Sequence, residues 1–269
     1  MIALVTGASS GLGAATARRL AAEPGARLVL VARRRDRLEA LAGELGGATV
    51  LAADLLDEAT PALVAERVEA EHGRLDLLVN NAGVGGRGSF ARTGWAEVGR
   101  VMAINFDAQV RLTEALLPLL RRSAPSGIVF VGSVAGRASR AGAGSYAASK
   151  FALAGWTEAL AMEEQRHGVH VALVQPGFVP TEGFPQRELL AHPWTRWMVS
   201  SEDTVAEAIV DAWRRRRPER YVPRPYALVP VARTLLPGLY RRVVGTGAFT
   251  PSLRRPGPAR PSEAPARRR

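Results

Sequence analysis

Short runs of near-continuous apolar, largely β-branched residues alternate along this chain with longer stretches whose apolar positions recur every three or four residues. The first pattern predicts strands buried on both faces, and the second predicts helices laid against them. The strands fall at Ile2–Thr6, Arg27–Ala32, Thr49–Ala53, Leu75–Asn80, Gly127–Gly132 and Val169–Gln175, with a short seventh near Arg220–Val222. Helices fall between them, at about Leu12–Ala22, Asp36–Leu45, Pro61–His72, Trp95–Arg121, Ser145–His167 and Asp203–Arg216. Regular alternation of the two predicts an α/β fold, a doubly wound parallel sheet of about seven strands flanked by helices.

After the seventh strand the pattern changes. Leu228, Val229, Val231, Leu235, Leu236, Leu239, Tyr240, Val243 and Val244 crowd between Arg214–Arg217 and Arg241-Arg242, with Pro230 and Pro237 breaking any long helix. From Pro251 onward Pro, Arg, Ser and Ala dominate, with little to bury, which predicts a disordered tail. The 269 residues thus divide into a body over 1–225, an apolar and basic extension over 226–250 and a basic tail over 251–269. The extension suits either a lid over the body's cleft or a segment lying on an anionic membrane surface. Phe178, Phe184, Trp194 and Trp197 follow the sixth strand, and such aromatics suit either an apolar ligand or packing of the segment on its own body.

Charge follows the same division. Residues 1–213 carry 21 basic and 23 acidic side chains, a balance of −2, whereas residues 214–269 carry 15 and 2, a balance of +13. The net +11 is therefore a property of the extension and tail, and the body is nearly neutral. The basic stretch lacks interleaved aromatics and any nucleic-acid-binding module, so no nucleic acid partner is expected. With no cysteine, disulfides, thiolate metal sites and a cysteine nucleophile are excluded, and no metal is expected. Met1–Gly7 has no basic leader and no apolar stretch has the length of a membrane span, so a cytoplasmic protein, in peripheral contact with a membrane at most, is expected.

The first strand runs into Thr6-Gly7-Ala8-Ser9-Ser10-Gly11-Leu12-Gly13 and then a helix. Gly7 permits a tight exit from the strand, Gly11 lets backbone amides approach a pyrophosphate, and Gly13 allows helix and sheet to pack closely. The helix N-terminus adds unpaired N–H groups and a partial positive charge. A chain selecting NAD would place Asp or Glu at the end of the second strand. Here Ala32 is followed by Arg33-Arg34-Arg35, which favours the 2′-phosphate of NADP.

Ser145-Tyr146-Ala147-Ala148-Ser149-Lys150 opens a long helix and places Tyr146 and Lys150 one turn apart on the same face. An ammonium beside a phenol favours the phenolate and should draw its pKa down toward neutrality. Lys150 is the single lysine among 36 basic residues, as if an arginine's planar fork could not serve there. Ser133, just past the fifth strand, lies at the carboxyl end of the sheet, where its hydroxyl would hold a substrate oxygen beside Tyr146.

Together these residues resemble the classical short-chain dehydrogenase/reductase family over about residues 1–225. The matching pieces are Thr6-Gly7-x-x-x-Gly11-x-Gly13, Asn80-Asn81-Ala82-Gly83, Asn105, Ser133, Tyr146-x-x-x-Lys150 and Pro176-Gly177, in the family's order. The resemblance implies a single Rossmann-type domain and an NADP(H)-dependent carbonyl reductase or alcohol dehydrogenase. It implies that Asn105 anchors a water in a proton relay with Lys150, whose ammonium also bonds the nicotinamide ribose. Asp54 would contact the adenine, with Leu55 beside it. Asn81, Ala82 and Gly83 would line the cofactor cleft, as would Ser9, Ser10 and Leu12 at the turn. Pro176, Gly177, Val179 and Thr181 would sit against the nicotinamide. The substrate is expected to be a small-molecule carbonyl or alcohol, and the assembly a homodimer or homotetramer. Two alternatives compete: a 3-oxoacyl-carrier-protein reductase, and a non-catalytic NADP-binding regulator. A regulator has little reason to keep Asn105, Ser133, Tyr146 and Lys150 together.

Overall fold

In the computed structural model, residues 1–86, 88–182, 196 and 198–245 are described; Phe184, Trp194, Trp197 and the tail over 251–269 lie outside them. The strands are β1 (Ile2–Thr6), β2 (Arg27–Ala32), β3 (Thr49–Ala52), β4 (Leu77–Asn80), β5 (Ser126–Val131), β6 (Val169–Pro176) and β7 (Glu219–Val222). They form one sheet in the order β3-β2-β1-β4-β5-β6-β7, and every pairing is parallel. Alternate residues of each strand serve two cores, as the two-residue period of a strand dictates. Val5, Leu30, Val79, Val129 and Val174 pack beneath α1 (Gly11–Ala21), α2 (Arg35–Glu44) and α7 (Glu202–Arg214). Leu4, Val31, Leu78, Phe130 and Leu173 pack beneath α3 (Thr60–His72), α5 (Ala108–Arg122) and α6 (Gly144–Glu164). Each such side chain contributes about 1.5–3 kcal/mol of burial free energy.

The helix expected as one piece over Trp95–Arg121 is three. α4 (Phe90–Met102) bends at Gly94, which takes φ +62°, and is followed by a π-helical turn over Ala103–Asp107 before α5 begins. One inserted residue per turn rotates the following side chains without ending the helix. Because apolar residues continue on either side of the insertion, periodicity alone reads through it. Beyond β7 the chain forms a 3₁₀ turn (Arg224–Ala227) and two short helices, α8 (Leu228–Leu235) and α9 (Pro237–Gly245).

The chain order reverses between β1 and β4, which opens a crevice at the carboxyl ends of those neighbouring strands. A cleft of about 1680 Å³ lies there. Pockets for one small ligand occupy roughly 300–1,000 Å³, so this cleft has room for a dinucleotide and a second molecule.

Candidate active site

At the end of β1, Gly7 turns the chain at φ +67° and donates its N–H to the Val31 carbonyl at 2.8 Å. Gly13, in the first turn of α1, passes so close beneath it that a Cβ would lie 2.2 Å from the Gly7 oxygen. Helix and strand end meet backbone to backbone, a contact that admits only glycine. Ser10 is the N-cap residue of α1, yet its side chain makes no capping bond. Its hydroxyl accepts from Arg34 Nη2 at 2.6 Å instead. The first N–H groups of α1 therefore face the cleft at the positive end of the helix with no side-chain acceptor, a geometry suited to an anion.

Arg34 closes this end of the cleft. Its Nε and Nη2 also donate to Ser9 Oγ at 3.2 and 3.1 Å, and its Nη1 reaches Glu182 at 3.4 Å. Glu182 accepts from Arg37 at 2.8 Å as well, and the Arg37 hydrogen bond holds its carboxyl below the usual range. Thr181 lies over Gly11, so the segment after β6 folds across the glycine turn. Arg33 is exposed along the same wall, and no acidic residue stands at the end of β2.

Thr6 joins the next wall to the first. Its hydroxyl accepts from the N–H groups of Asn81 and Ala82 at 2.9 and 3.0 Å, while Asn81 Nδ2 returns a bond to the Thr6 carbonyl at 2.9 Å. Asn105, within the π turn, is fully buried. Its Oδ1 accepts from Val84 N–H at 2.8 Å, and its Nδ2 donates to the Val84 carbonyl and to Ser149 Oγ at 2.9 and 3.0 Å. The amide thus clamps the segment after Asn80-Asn81-Ala82-Gly83 onto α6. Asn105 is set behind the cleft, whereas Gly7, Gly13, Arg34, Asp54, Asn81, Ser133, Tyr146, Lys150 and Thr181 line it.

Ser133, just past β5, accepts from Ala135 N–H at 3.1 Å and hydrogen-bonds the Tyr146 phenol. Lys150, one turn along α6, is buried and donates to the Val131 carbonyl at 2.7 Å, with its Nζ 5.9 Å from the Tyr146 ring centre. Burial brings the lysine down to about 8. It pushes the Tyr146 phenol above its ordinary value, which the Ser133 bond only partly offsets. The sequence spacing predicts the opposite direction for Tyr146. Desolvation wins in the packed core, where the ammonium's hydrogen bond goes to a β5 carbonyl.

Several neighbours escape sequence reasoning. Tyr226 packs so tightly on Gly177 that a Cβ there would lie 2.1 Å from its ring, and its hydroxyl donates to the Met198 carbonyl at 3.1 Å. From the other side of the mouth Tyr240 donates to the Ser139 carbonyl at 2.8 Å, and Arg233 to that of Arg137 at 3.2 Å. Val229, Ala232, Tyr240 and Val244 form the outer rim, so α8 and α9 wall the cleft. Ser149 and Glu182 carried no sequence signal, because a serine inside a helix and a glutamate in a loop are ordinary there.

Comparison with known proteins places these features in context. The family described as short chain dehydrogenase matches residues 1–188. Dehydrogenase/reductase SDR family member 7B of Bos taurus is 31% identical over 266 residues, which span 92% of this chain and 81% of that protein. Retinol dehydrogenase 8 of Homo sapiens is 40% identical over 184 residues, 66% of this chain and 59% of that protein. Among solved structures, a 3-ketoacyl-(acyl-carrier-protein) reductase from Brucella melitensis complexed with NADH superposes with a TM-score of 0.75 at 28% identity, covering 82% of this chain and 96% of that one. A short chain dehydrogenase from Burkholderia cenocepacia in complex with NADP does so with 0.72 at 30% identity, covering 81% and 94%.

Proposed function

The chain belongs to the short-chain dehydrogenase/reductase family, an oxidoreductase family of alcohol and carbonyl groups, and from that premise we propose an NADP(H)-dependent carbonyl reductase acting on an apolar ketone or aldehyde. In reverse it would oxidise the corresponding secondary alcohol. One observation carries the reading: Ser133, Tyr146 and Lys150 meet in a cleft whose far end is a glycine cradle closed by Arg34. The cradle suits a dinucleotide, since Gly7 and Gly13 let strand end and helix meet closely and the uncapped N-terminus of α1 faces the cleft. Support for the 2′-phosphorylated form comes from Arg33 and Arg34 standing where a carboxylate would select the free hydroxyl.

When bound, the dinucleotide supplies the hydride. The chain's own groups handle the oxygen. Ser133 would donate to the substrate carbonyl and hold it beside the phenol. Tyr146, whose phenol burial pushes above its ordinary value, is then positioned to give its proton to that oxygen. The Lys150 ammonium would stabilise the phenolate left behind. Val229, Ala232 and Val244 at the rim favour an apolar substrate. A cytoplasmic homodimer or homotetramer through the outer faces of α5 and α6 belongs to the same proposal, and mass measurement in solution decides it.

A second reading, reduction of a 3-oxoacyl thioester on a carrier protein, draws on the likeness to the Brucella reductase. Assaying NADPH oxidation over ketones, aldehydes and acyl thioesters separates the two. Tyr146→Phe should lower the rate by about 10²–10⁴, the usual contribution of a general acid. Unchanged turnover in that variant would refute the mechanism.

A further inference from the structure

We propose that the outer face of α8 and α9 seats on an anionic lipid surface, turning the mouth of the cleft toward carbonyls or alcohols dissolved in that surface. The second half of this statement rests on the function proposed above; the first does not. The two helices carry two faces each. Val229 and Ala232 of α8, and Tyr240 and Val244 of α9, line the cleft. Leu228, Val231 and Leu235 form a stripe at helical spacing about a quarter-turn round α8 from those positions, Leu239 and Val243 continue it on α9, and Leu236 sits at the bend. These six side chains are between 48% and 72% exposed. The inner face is fastened by Tyr240 to Ser139 and by Arg233, which also lies 5.1 Å above the Phe151 ring. A contiguous apolar patch held outward by a fastened scaffold marks an interaction site on a soluble protein.

Charge selects the occupant. Arg224, Arg241 and Arg242 border the patch, and among the described residues none of them forms an ion pair. The chain after Gly245 adds six arginines and one glutamate. A second copy docked on this face would bring the two arginine sets together, at a cost in repulsion. Anionic headgroups satisfy the arginines while acyl chains take up the leucines, the arrangement of an interfacial amphipathic helix. With eight and nine residues, α8 and α9 are far too short to span a bilayer, and no helix of the described residues is long and apolar enough to cross one. Lying in the interface is the arrangement left to them.

The test uses the full chain and vesicles of phosphatidylcholine with or without phosphatidylserine. The wild type should bind the anionic vesicles at least tenfold more tightly than the neutral ones, and more weakly as salt rises. Leu235→Glu combined with Leu239→Glu should lose at least tenfold of that binding while keeping the wild-type melting temperature and NADPH affinity. Arg241→Gln with Arg242→Gln should flatten the salt dependence without introducing any charge into the apolar stripe. Failure of the wild type to bind anionic vesicles would overturn the proposal. So would equal binding by the leucine variant, which would assign the contact to the tail, or conversion of a dimer to monomer by that variant without vesicle binding, which would assign the face to a second copy. Vesicle binding needs no turnover, so it stands or falls independently of the proposed reaction. For substrate delivery, the leucine variant should reduce a vesicle-dissolved ketone more slowly while a water-soluble ketone is reduced at the wild-type rate. An equal fall for both would refute delivery.

Discussion

Lys150 is buried, and a backbone carbonyl accepts from its ammonium, as a buried charge requires. Desolvation brings it from an ordinary 10.5 to about 8. Reduction should therefore decline as pH rises through about 8, and in Lys150→Met the step at that pH should vanish from a lower baseline in the pH–rate profile. The linkage sign is opposite for stability. Between about 8 and 10.5 the unfolded chain binds the proton that the folded chain has released, so the penalty of burying this charge is full below pH 8 and is relieved as pH rises. Arg34 makes the second residue-scale prediction. Arg34→Ala should weaken NADPH at least tenfold and NADH within about twofold, the loss expected for a hydrogen bond to a charged group. Glu182 holds the same guanidinium and would compete with a phosphate for it. Glu182→Gln should accordingly tighten NADPH about two- to fivefold at low salt, and fluorescence titration reads both. At this scale the proximity of Tyr146 and Lys150 was legible, since they are one turn apart in the chain. Glu182 was not, because its partner Arg34 is 148 residues away.

At the scale of elements, the strands and the turn after β1 follow from local sequence, because period and glycine spacing act over a few residues. The break between α4 and α5 does not. A π turn carries Asn105 inward, where Val84 and Ser149 satisfy its amide, and that outcome depends on what the segment after β4 and α6 offer. Gly177 and Tyr226 show the same dependence. Gly177→Ala would drive a Cβ into the Tyr226 ring and should cost about 1–3 kcal/mol, as overpacking does. In a Tyr226→Ala background the same substitution should cost almost nothing. Denaturant unfolding of the four proteins measures the coupling, and additive losses would show that the contact is not the cause.

Across the whole molecule, the dinucleotide end, the chemical centre and the rim belong to one cleft, so ligand binding should report on the fold. Cofactor that binds only the folded state raises its stability in proportion to the logarithm of its affinity. If NADPH binds tenfold more tightly than NADH, equal saturating concentrations should differ by about 1.4 kcal/mol, which is roughly 3–6 °C in melting temperature for a domain of this size. Thermal shift with both cofactors checks it, and equal shifts would argue for no preference.

The amino-acid sequence alone determined the parallel sheet, the glycine turn that opens α1, the absence of an acid after β2 and the serine, tyrosine and lysine of the site. Each is a matter of residue type at a short, countable spacing. Tertiary structure decided what lies far apart in the chain: Tyr240 on Ser139 across 101 residues, the folding of Thr181 and Glu182 over the turn, and the two-faced placement of α8 and α9. It also decided the direction in which Tyr146 titrates. Spacing brought the ammonium near the phenol, but the β5 carbonyl that accepts from it and the packing that dries the pocket are properties of the assembled core.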